Sequence, residues 1–178
     1  MSSPVTTRVE DTFTSKRVTI KTTRSFDEVT ARLYNSIGTP AAAGWPSIVS
    51  YLEGPSPTKE GFVATAKQYI GPELFMLFWE IDHSLWTPLY GIAPGQRIKR
   101  VVLGNPMSAA TVIAHEVKAG LAAPAETLIL EGAGGEGTEV IFQLFSSLAA
   151  GVEKSEELVK ATLNLDAKVQ HLVDHITL

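Results

Sequence analysis

Hydrophobic residues recur at two different spacings along the chain, and the spacing separates predicted strands from predicted helices. Alternation with polar neighbours, or a short run that is apolar on both faces, indicates a strand. The run from Leu74 to Ile81 begins with apolar residues on both faces, which favours a central position in the sheet. The glycine-rich residues 132–137 predict a hairpin loop between two further strands. Five stretches are predicted as strands in all: residues 16–23, 74–81, 97–103, 126–131 and 138–144.

Apolar residues three or four positions apart predict helices between these strands. The clearest helix begins at Ser25, which can form a capping box with Glu28, and ends at Gly38. Three other helices begin at residues typical of helix starts, where a cap residue precedes the first turn or proline occupies it. Their starts are Ser56-Pro57, Asn105-Pro106 (a helix running to about Val117) and Ser155 (the long final helix).

The order of these elements is a strand, helices, two strands, a helix, a hairpin and a helix. This order predicts an α+β fold, with a mostly antiparallel sheet of about five strands and helices packed on one face. The regular strand–helix alternation of a doubly wound fold is absent. Residues 1–15 are rich in Ser, Thr and charge, so we expect a loose lead-in followed by a single domain over residues 16–178.

The amino-acid composition argues against several classes of protein and of functional site. The 178 residues include 15 basic and 19 acidic side chains, a formal net charge of −4, and no Cys. The lack of Cys excludes disulfides, zinc ribbons and thiol nucleophiles, and the mild acidity argues against nucleic-acid binding. No apolar run approaches the roughly 20 residues of a membrane span, and the polar N-terminus does not resemble a secretory signal. We therefore expect a cytoplasmic protein that does not enter a membrane.

The end of the second predicted strand carries the residues best suited to acid–base chemistry. In an extended chain Glu80 and Asp82 share one face with Phe78, while Trp79 and His83 lie on the other. An imidazole that titrates near neutrality beside two carboxylates could transfer a proton. The structural alternative is that Asp82 and His83 cap the strand end through backbone hydrogen bonds. Both interpretations stay open at this point.

Other side chains are candidates for substrate binding. Trp79 and Trp86 are either core residues or the walls of an apolar pocket. Asn105 either caps the helix that follows it or holds a substrate oxygen at the helix start. His115, near the end of that helix, either faces solvent or reaches a pocket.

His171 and His175 are four positions apart on the final helix and therefore share a face. A zinc site would need a third protein ligand, and Asp174 lies at a different helical angle. We therefore expect no metal site. We also find no motif for a cofactor, and redox chemistry would require one.

Three segments, Phe78–His83, Val102–Pro106 and Pro124–Glu131, resemble the domain of unknown function 302 family. In that family an Asp-His pair ends a strand, a Gly-Asn-Pro turn starts a helix, and a proline-containing segment leads into a strand ending in Glu. The resemblance covers roughly residues 16–150 and implies a compact α+β sheet covered by helices, and a homodimer. Met107 stands where the family often has a basic or amide residue. The matching residues are Asp82, His83, Gly104, Asn105, Pro106, Pro124 and Glu131.

These observations lead to two expectations about function. The first is a cofactor-free acid/base enzyme of isomerase, cyclase or lyase type, acting on a small, largely apolar organic molecule. His83 would move the proton, Asp82 or Glu80 would orient His83, and Glu131 or Asn105 would hold the substrate's oxygen. The alternative is a non-catalytic small-ligand-binding protein or dimeric scaffold. A cavity beside His83 and a carboxylate would favour the enzyme.

Overall fold

The structure is a computed structural model that describes residues 6–149 and 155–178. Its centre is one fully antiparallel five-stranded sheet with the strand order β1-β5-β4-β3-β2, which confirms the predicted α+β class. The strands are β1 (Arg17–Thr22), β2 (Met76–Asp82), β3 (Ile98–Gly104), β4 (Ala125–Glu131) and β5 (Thr138–Gln143).

Helices pack against this sheet, and short 3-10 segments lie between several of the helices and strands. The predicted capping box is present at the first helix: Ser25 Oγ accepts from the Glu28 backbone N–H at 3.2 Å, and Glu28 Oε2 accepts from the Ser25 backbone N–H at 3.0 Å. The helices are α1 (Phe26–Ile37), α2 (Trp45–Leu52), α3 (Lys59–Lys67), α4 (Pro106–Ile113), α5 (Phe145–Ala149) and α6 (Glu156–Thr177).

The main core lies between one face of the sheet and the two helices α1 and α6. Each element presents an apolar stripe with the predicted period, and burial of such a side chain contributes roughly 1.5–3 kcal/mol. Two smaller apolar clusters flank this core, one where α4, α5 and the start of α6 meet, and one between α2, α3 and β2. The main core contains Phe26, Val29, Leu33 and Ile37 of α1, Val169, Leu172, Val173 and Ile176 of α6, and Leu77, Val101, Leu103, Ile129, Val140 and Phe142 of the sheet.

Strand β2 lies at an edge of the sheet, so the prediction of a central strand was wrong. Its first residues are apolar on both faces because helices cover both of their sides. Leu77 packs into the main core against α1 and α6, and Met76 packs with Ile48 and Ala66 of α2 and α3. Helix packing therefore replaces the second neighbouring strand that the apolar run suggested.

A β-bulge interrupts the alternation of side chains along β2. The pairing with β3 shifts between Leu77 and Trp79, which leaves Phe78 as the extra residue. Phe78 packs with the α2–α3 cluster and against the ring of Trp45, whereas Glu80 contacts α1. The prediction that Phe78 shares a face with Glu80 was therefore wrong.

Two helix boundaries also differ from the predictions. Helix α3 begins after Thr58, whose hydroxyl accepts from the Gly61 backbone N–H at 3.1 Å, and not at Ser56-Pro57. Helix α4 ends at Ile113 and not at Val117, because a separate 3-10 segment, Val117–Ala122, follows it and is capped by Glu116.

The second face of the sheet, here called the open face, carries a row of neighbouring residues formed by Ile81, Arg100, Leu128 and Ile141. These four side chains are half-buried. Within residues 6–149 and 155–178, the helices of the main core lie on the other side. In the same ranges, no helix combines the length and the apolar character that crossing a bilayer requires.

Candidate functional site

Glu80 lies on the helix-covered face of the sheet and is bound by two neighbours. Its Oε1 accepts from Lys99 Nζ at 2.8 Å, and its Oε2 accepts from the Tyr34 hydroxyl. Lys99 Nζ also donates to the Tyr34 hydroxyl oxygen at 3.1 Å and lies 3.7 Å from Asp82 Oδ2. The four side chains form one network that connects α1 to β2 and β3.

The network moves the pKa values of two of its members away from neutrality. Desolvation lowers the pKa of Lys99, but the hydrogen bonds to Glu80 and Tyr34 outweigh it, and the net shift is upward. Burial, together with the hydrogen bond to Glu80, raises the pKa of Tyr34. A general acid or base works best with a pKa near the operating pH. Both shifts move these pKa values further from neutrality, which does not favour either group for proton transfer at neutral pH.

Asp82 and His83 form the local turn that the structural alternative proposed. Asp82 Oδ1 accepts from the Ser84 backbone N–H at 3.0 Å and so caps the 3-10 segment His83–Leu85. His83 Nδ1 accepts from Trp86 Nε1 at 3.2 Å, and the two rings pack edge to face at 5.5 Å. Among the described residues, no hydrogen bond joins His83 to Asp82 or Glu80. A catalytic role for His83 stays a prediction.

Glu131 is buried and is held by a single arginine. Its Oε1 accepts from Arg97 Nε at 3.0 Å and from Arg97 Nη2 at 2.6 Å, and its Oε2 accepts from the Arg97 backbone N–H at 3.2 Å. The side-chain hydrogen bonds from Arg97 lower the pKa of Glu131. Arg97 also pairs with Asp27 of α1. The Glu131–Arg97 pair therefore connects β4 to the residue before β3 and, through Arg97, to α1.

Asn105 uses its side-chain amide within the fold. Its Oδ1 accepts from the backbone N–H groups of Met107 and Ser108 at 3.0 and 3.3 Å, and its Nδ2 donates to the Leu74 carbonyl at 2.9 Å. The interpretation of Asn105 as a helix cap is thus confirmed. His115 is exposed in the turn after α4.

Trp79 and Trp86 are not core residues, since 48% and 42% of their surfaces are exposed. The Arg100 guanidinium lies 5.6 Å from the centre of the Trp79 ring, on the open face. The structure thus brings Glu80, Asp82, His83 and Trp86 to one end of β2. Glu131 lies at the same end of the sheet, two residues beyond Ile129, which pairs with Lys99, but it is bound to Arg97. Asn105 and His115 lie elsewhere, at the start of α4 and in the turn after it.

A cavity of about 390 Å³ lies near the other end of the sheet. Segments that are distant in sequence form its walls: the lead-in, the 3-10 segment Val117–Ala122, the start of β4, the end of β5, and α5. Most of its lining is apolar, and polar groups are interspersed. The lining residues are Asp11, Phe13, Glu116, Lys118, Leu121, Ala122, Pro124, Ala125, Glu126, Gln143, Phe145, Leu148 and Ala149.

The cavity and the His83 turn are separated along the strands. Ala125 at the cavity pairs with Leu103, whereas Asp82 pairs with Lys99, which pairs with Ile129. The four residue steps along β4 from Ala125 to Ile129 correspond to about 13 Å. A second, more open and more polar groove of about 670 Å³ lies beside the end of β1 and the C-terminal residues Thr177 and Leu178. Neither space is lined by any of the predicted catalytic residues.

None of the cavity residues was among the predicted site residues. One local signal for them exists: Phe13 is a lone aromatic residue in a polar lead-in, which indicates a contact with the folded domain. The cavity residues of the 3-10 segment and α5 carry no such signal, because small and apolar residues there also suit an ordinary core. In the described ranges no group of three or more His, Asp or Glu side chains could hold a metal ion. His171 Nε2 instead lies 3.1 Å from Glu73 Oε2.

Comparison with solved structures shows the fold in another protein. The crystal structure of an uncharacterized conserved protein DUF302 from Bacillus stearothermophilus matches with a TM-score of 0.60. The match covers 90% of this chain and 97% of that chain, at 14% sequence identity. At this identity the similarity concerns the fold alone. No curated protein matches this chain.

The family model described as Domain of unknown function DUF302 matches residues 56–176. The matched range starts later than the resemblance noted from the sequence and extends through most of α6. It includes the Asp82-His83 pair, the Gly104-Asn105-Pro106 turn and the segment ending at Glu131. Since the match spans more than half of the chain, this protein belongs to the DUF302 family.

Proposed function

We propose that this protein binds a small, largely apolar organic molecule in the cavity between the lead-in, the 3-10 segment Val117–Ala122 and α5. The observation that carries the proposal is the cavity itself. Its volume of about 390 Å³ lies in the range of small-molecule sites, roughly 300–1,000 Å³. Phe13 and Phe145 supply aromatic walls, and a few carboxylate, amide and ammonium groups supply polar contacts.

Binding without catalysis suits this geometry better than acid–base catalysis at His83. The carboxylates predicted to assist His83 already have other partners: Glu80 binds Lys99 and Tyr34, and Asp82 caps a 3-10 segment. The apolar cavity described above lies at the other end of the sheet from His83. The alternative of a non-catalytic ligand-binding protein therefore has the stronger physical support.

The proposal is tested by titrating the purified protein with 1-naphthalenemethanol, a neutral two-ring probe, in an isothermal calorimeter. We expect saturable binding to one site. Ala122→Phe should weaken binding by about tenfold or more, because the added ring occupies the cavity. Phe13→Ala should weaken binding without unfolding the domain, because Phe13 lies outside the helices and strands.

His83→Ala is the matched control for the competing site. We expect it to bind the probe as tightly as the parent protein, since His83 does not line the cavity. Loss of binding in His83→Ala, together with parent-like binding in Ala122→Phe, would place the site at His83 instead. Absence of saturable binding to the parent protein would contradict the proposal.

We also propose that the chain forms a homodimer, and the residues between β2 and β3 support this. No charged side chain occurs from Ser84 to Gln96. Within this segment Leu85, Leu89 and Tyr90 are each at least 75% exposed. A contiguous exposed apolar surface usually marks an interaction site. A second copy of the chain would bury these side chains on both partners at once.

The dimer is tested by light scattering coupled to gel filtration. The parent protein should elute with twice the chain mass, and the double variant Leu85→Asp/Leu89→Asp should elute as a monomer. Leu163→Asp, at an exposed leucine of α6, should remain dimeric. A parent protein that is monomeric at the highest accessible concentration would refute the dimer, and a dimeric double variant would refute this interface.

A further inference from the structure

The polar groups around the cavity are unequal in sign and in hydrogen-bonding type. The carboxylates of Asp11, Glu116 and Glu126 line it, and Lys118 supplies the single ammonium group among the lining residues. Gln143 adds an amide. Acceptor oxygens therefore outnumber donor hydrogens around an otherwise apolar space.

Contacts within the fold use some of these groups and leave others available. Glu126 pairs with Arg100 on the open face, so its charge is compensated. One oxygen of Glu116, Oε1, accepts from the Lys118 backbone N–H at 2.7 Å, which leaves Oε2 available. Gln143 donates through Nε2 to Ser15 at 3.2 Å, which leaves its carbonyl oxygen.

The charges that remain on the lining side chains favour a positively charged ligand. Once Arg100 compensates Glu126, the lining retains two carboxylates, those of Asp11 and Glu116, against the Lys118 ammonium. A ligand that covered these carboxylates without donating hydrogen bonds would remove them from water at a cost. A protonated amine would replace that water with charge-assisted hydrogen bonds, whereas a carboxylate ligand would meet two like charges.

We propose that the cavity is selective for an amine-bearing ligand, with an apolar body against the aromatic walls and a protonated nitrogen near Asp11 and Glu116. This inference rests on the proposed binding function and specifies its ligand class. It assigns distinct tasks to the two kinds of lining residue. The walls set the affinity for the apolar body, and the carboxylates set the preference for charge.

The test compares three probes of matched shape: 1-naphthylmethylamine, 1-naphthalenemethanol and 1-naphthoate, titrated at pH 7 and low salt by calorimetry. We expect the amine to bind about tenfold more tightly than the alcohol, and the carboxylate to bind most weakly. Equal affinity of amine and alcohol, or tightest binding of 1-naphthoate, would overturn the charge preference while leaving the binding function intact. Failure of all three probes to bind would overturn the proposed function and this inference together.

Charge-neutralising variants identify the groups responsible. Asp11→Asn and Glu116→Gln should each weaken binding of the amine by about threefold to tenfold, and should weaken binding of the alcohol less. Gln at position 116 retains an oxygen that can accept from the Lys118 N–H, so the 3-10 segment keeps its cap. Lys118→Met removes the cation. It should weaken the binding of 1-naphthoate and should not weaken the binding of the amine. Unchanged amine affinity in both acidic-residue variants would overturn the assignment.

Discussion

At the scale of single residues, charged side chains in this protein connect elements of the fold. Arg97 bonds Glu131 on β4 and Asp27 on α1, and Lys99 bonds Glu80 and Tyr34. Each carboxylate is held by a cation that packs near an aromatic ring of α1. The acidic residues that appeared suited to catalysis therefore have structural partners.

If the Glu131–Arg97 pair stabilises the fold, replacing Glu131 should change the free energy of unfolding by an amount that depends on pH. Arg97 lowers the pKa of Glu131 in the folded chain, so the ionised carboxylate stabilises the fold above its ordinary value of 4.5. This contribution is lost as the pH falls below that value. Glu131→Gln should lower the free energy of unfolding by about 1–3 kcal/mol at pH 7, and the difference from the parent should shrink under acid conditions.

Urea unfolding curves recorded between pH 7 and pH 3 measure this difference. Glu136→Gln, at an exposed carboxylate of the β4–β5 loop, is the matched control and should have little effect at any pH. A Glu131→Gln difference that stays constant over the whole range would show that the charge of Glu131 does not stabilise the fold.

At the scale of elements, helix starts depend on local hydrogen bonds. Asn105 caps α4 and also binds the Leu74 carbonyl, so it fixes α4 relative to the turn before β2. Asn105→Ala should lower the free energy of unfolding by about 1–2 kcal/mol and leave affinity for 1-naphthalenemethanol unchanged. Asn105→Asp keeps the capping oxygen, so it should lower the free energy of unfolding by less than Asn105→Ala does.

Chemical denaturation and calorimetry on the same samples check both parts of this expectation. If Asn105→Ala abolished probe binding at unchanged stability, Asn105 would be a ligand-binding residue, as the sequence suggested as one of two possibilities. If neither quantity changed, the cap would have no energetic role.

The difference between local and long-range interactions explains which elements could be predicted from the sequence. The caps at Ser25, Asn105 and Ser155 were predicted correctly because their partners lie within three residues. The edge position of β2 and the bulge at Phe78 could not be predicted from the sequence. Both features depend on the pairing of β2 with β3 and on its packing against α2 and α3. An apolar run alone does not show whether strands or helices cover it.

The candidate site was harder to predict for the same reason. The Asp82-His83 pair is a visible motif, and the structure does place both residues in one turn. The cavity instead needs Phe13, Ala122 and Phe145, which come from segments more than 20 residues apart in sequence. Their proximity follows from the antiparallel order of the sheet, which no short motif records.

At the scale of the whole molecule, the two ends of the sheet differ in character. The end that includes Asp82 and Lys99 is held by ion pairs and by the capped turn at His83. The end that includes Ala125 and Gln143 contains the cavity beneath the lead-in and α5. We therefore assign structural support to the first end and propose ligand binding at the second.

The position of a bound probe tests this assignment most directly. Two-dimensional nitrogen–proton NMR spectra of the labelled protein would be recorded during titration with 1-naphthalenemethanol. Ligand binding in the cavity should produce the largest chemical-shift changes at Leu121, Ala122, Gln143 and Phe145, with little change at the other end of the sheet. Shift changes centred on Asp82, His83 and Trp86 would contradict this assignment.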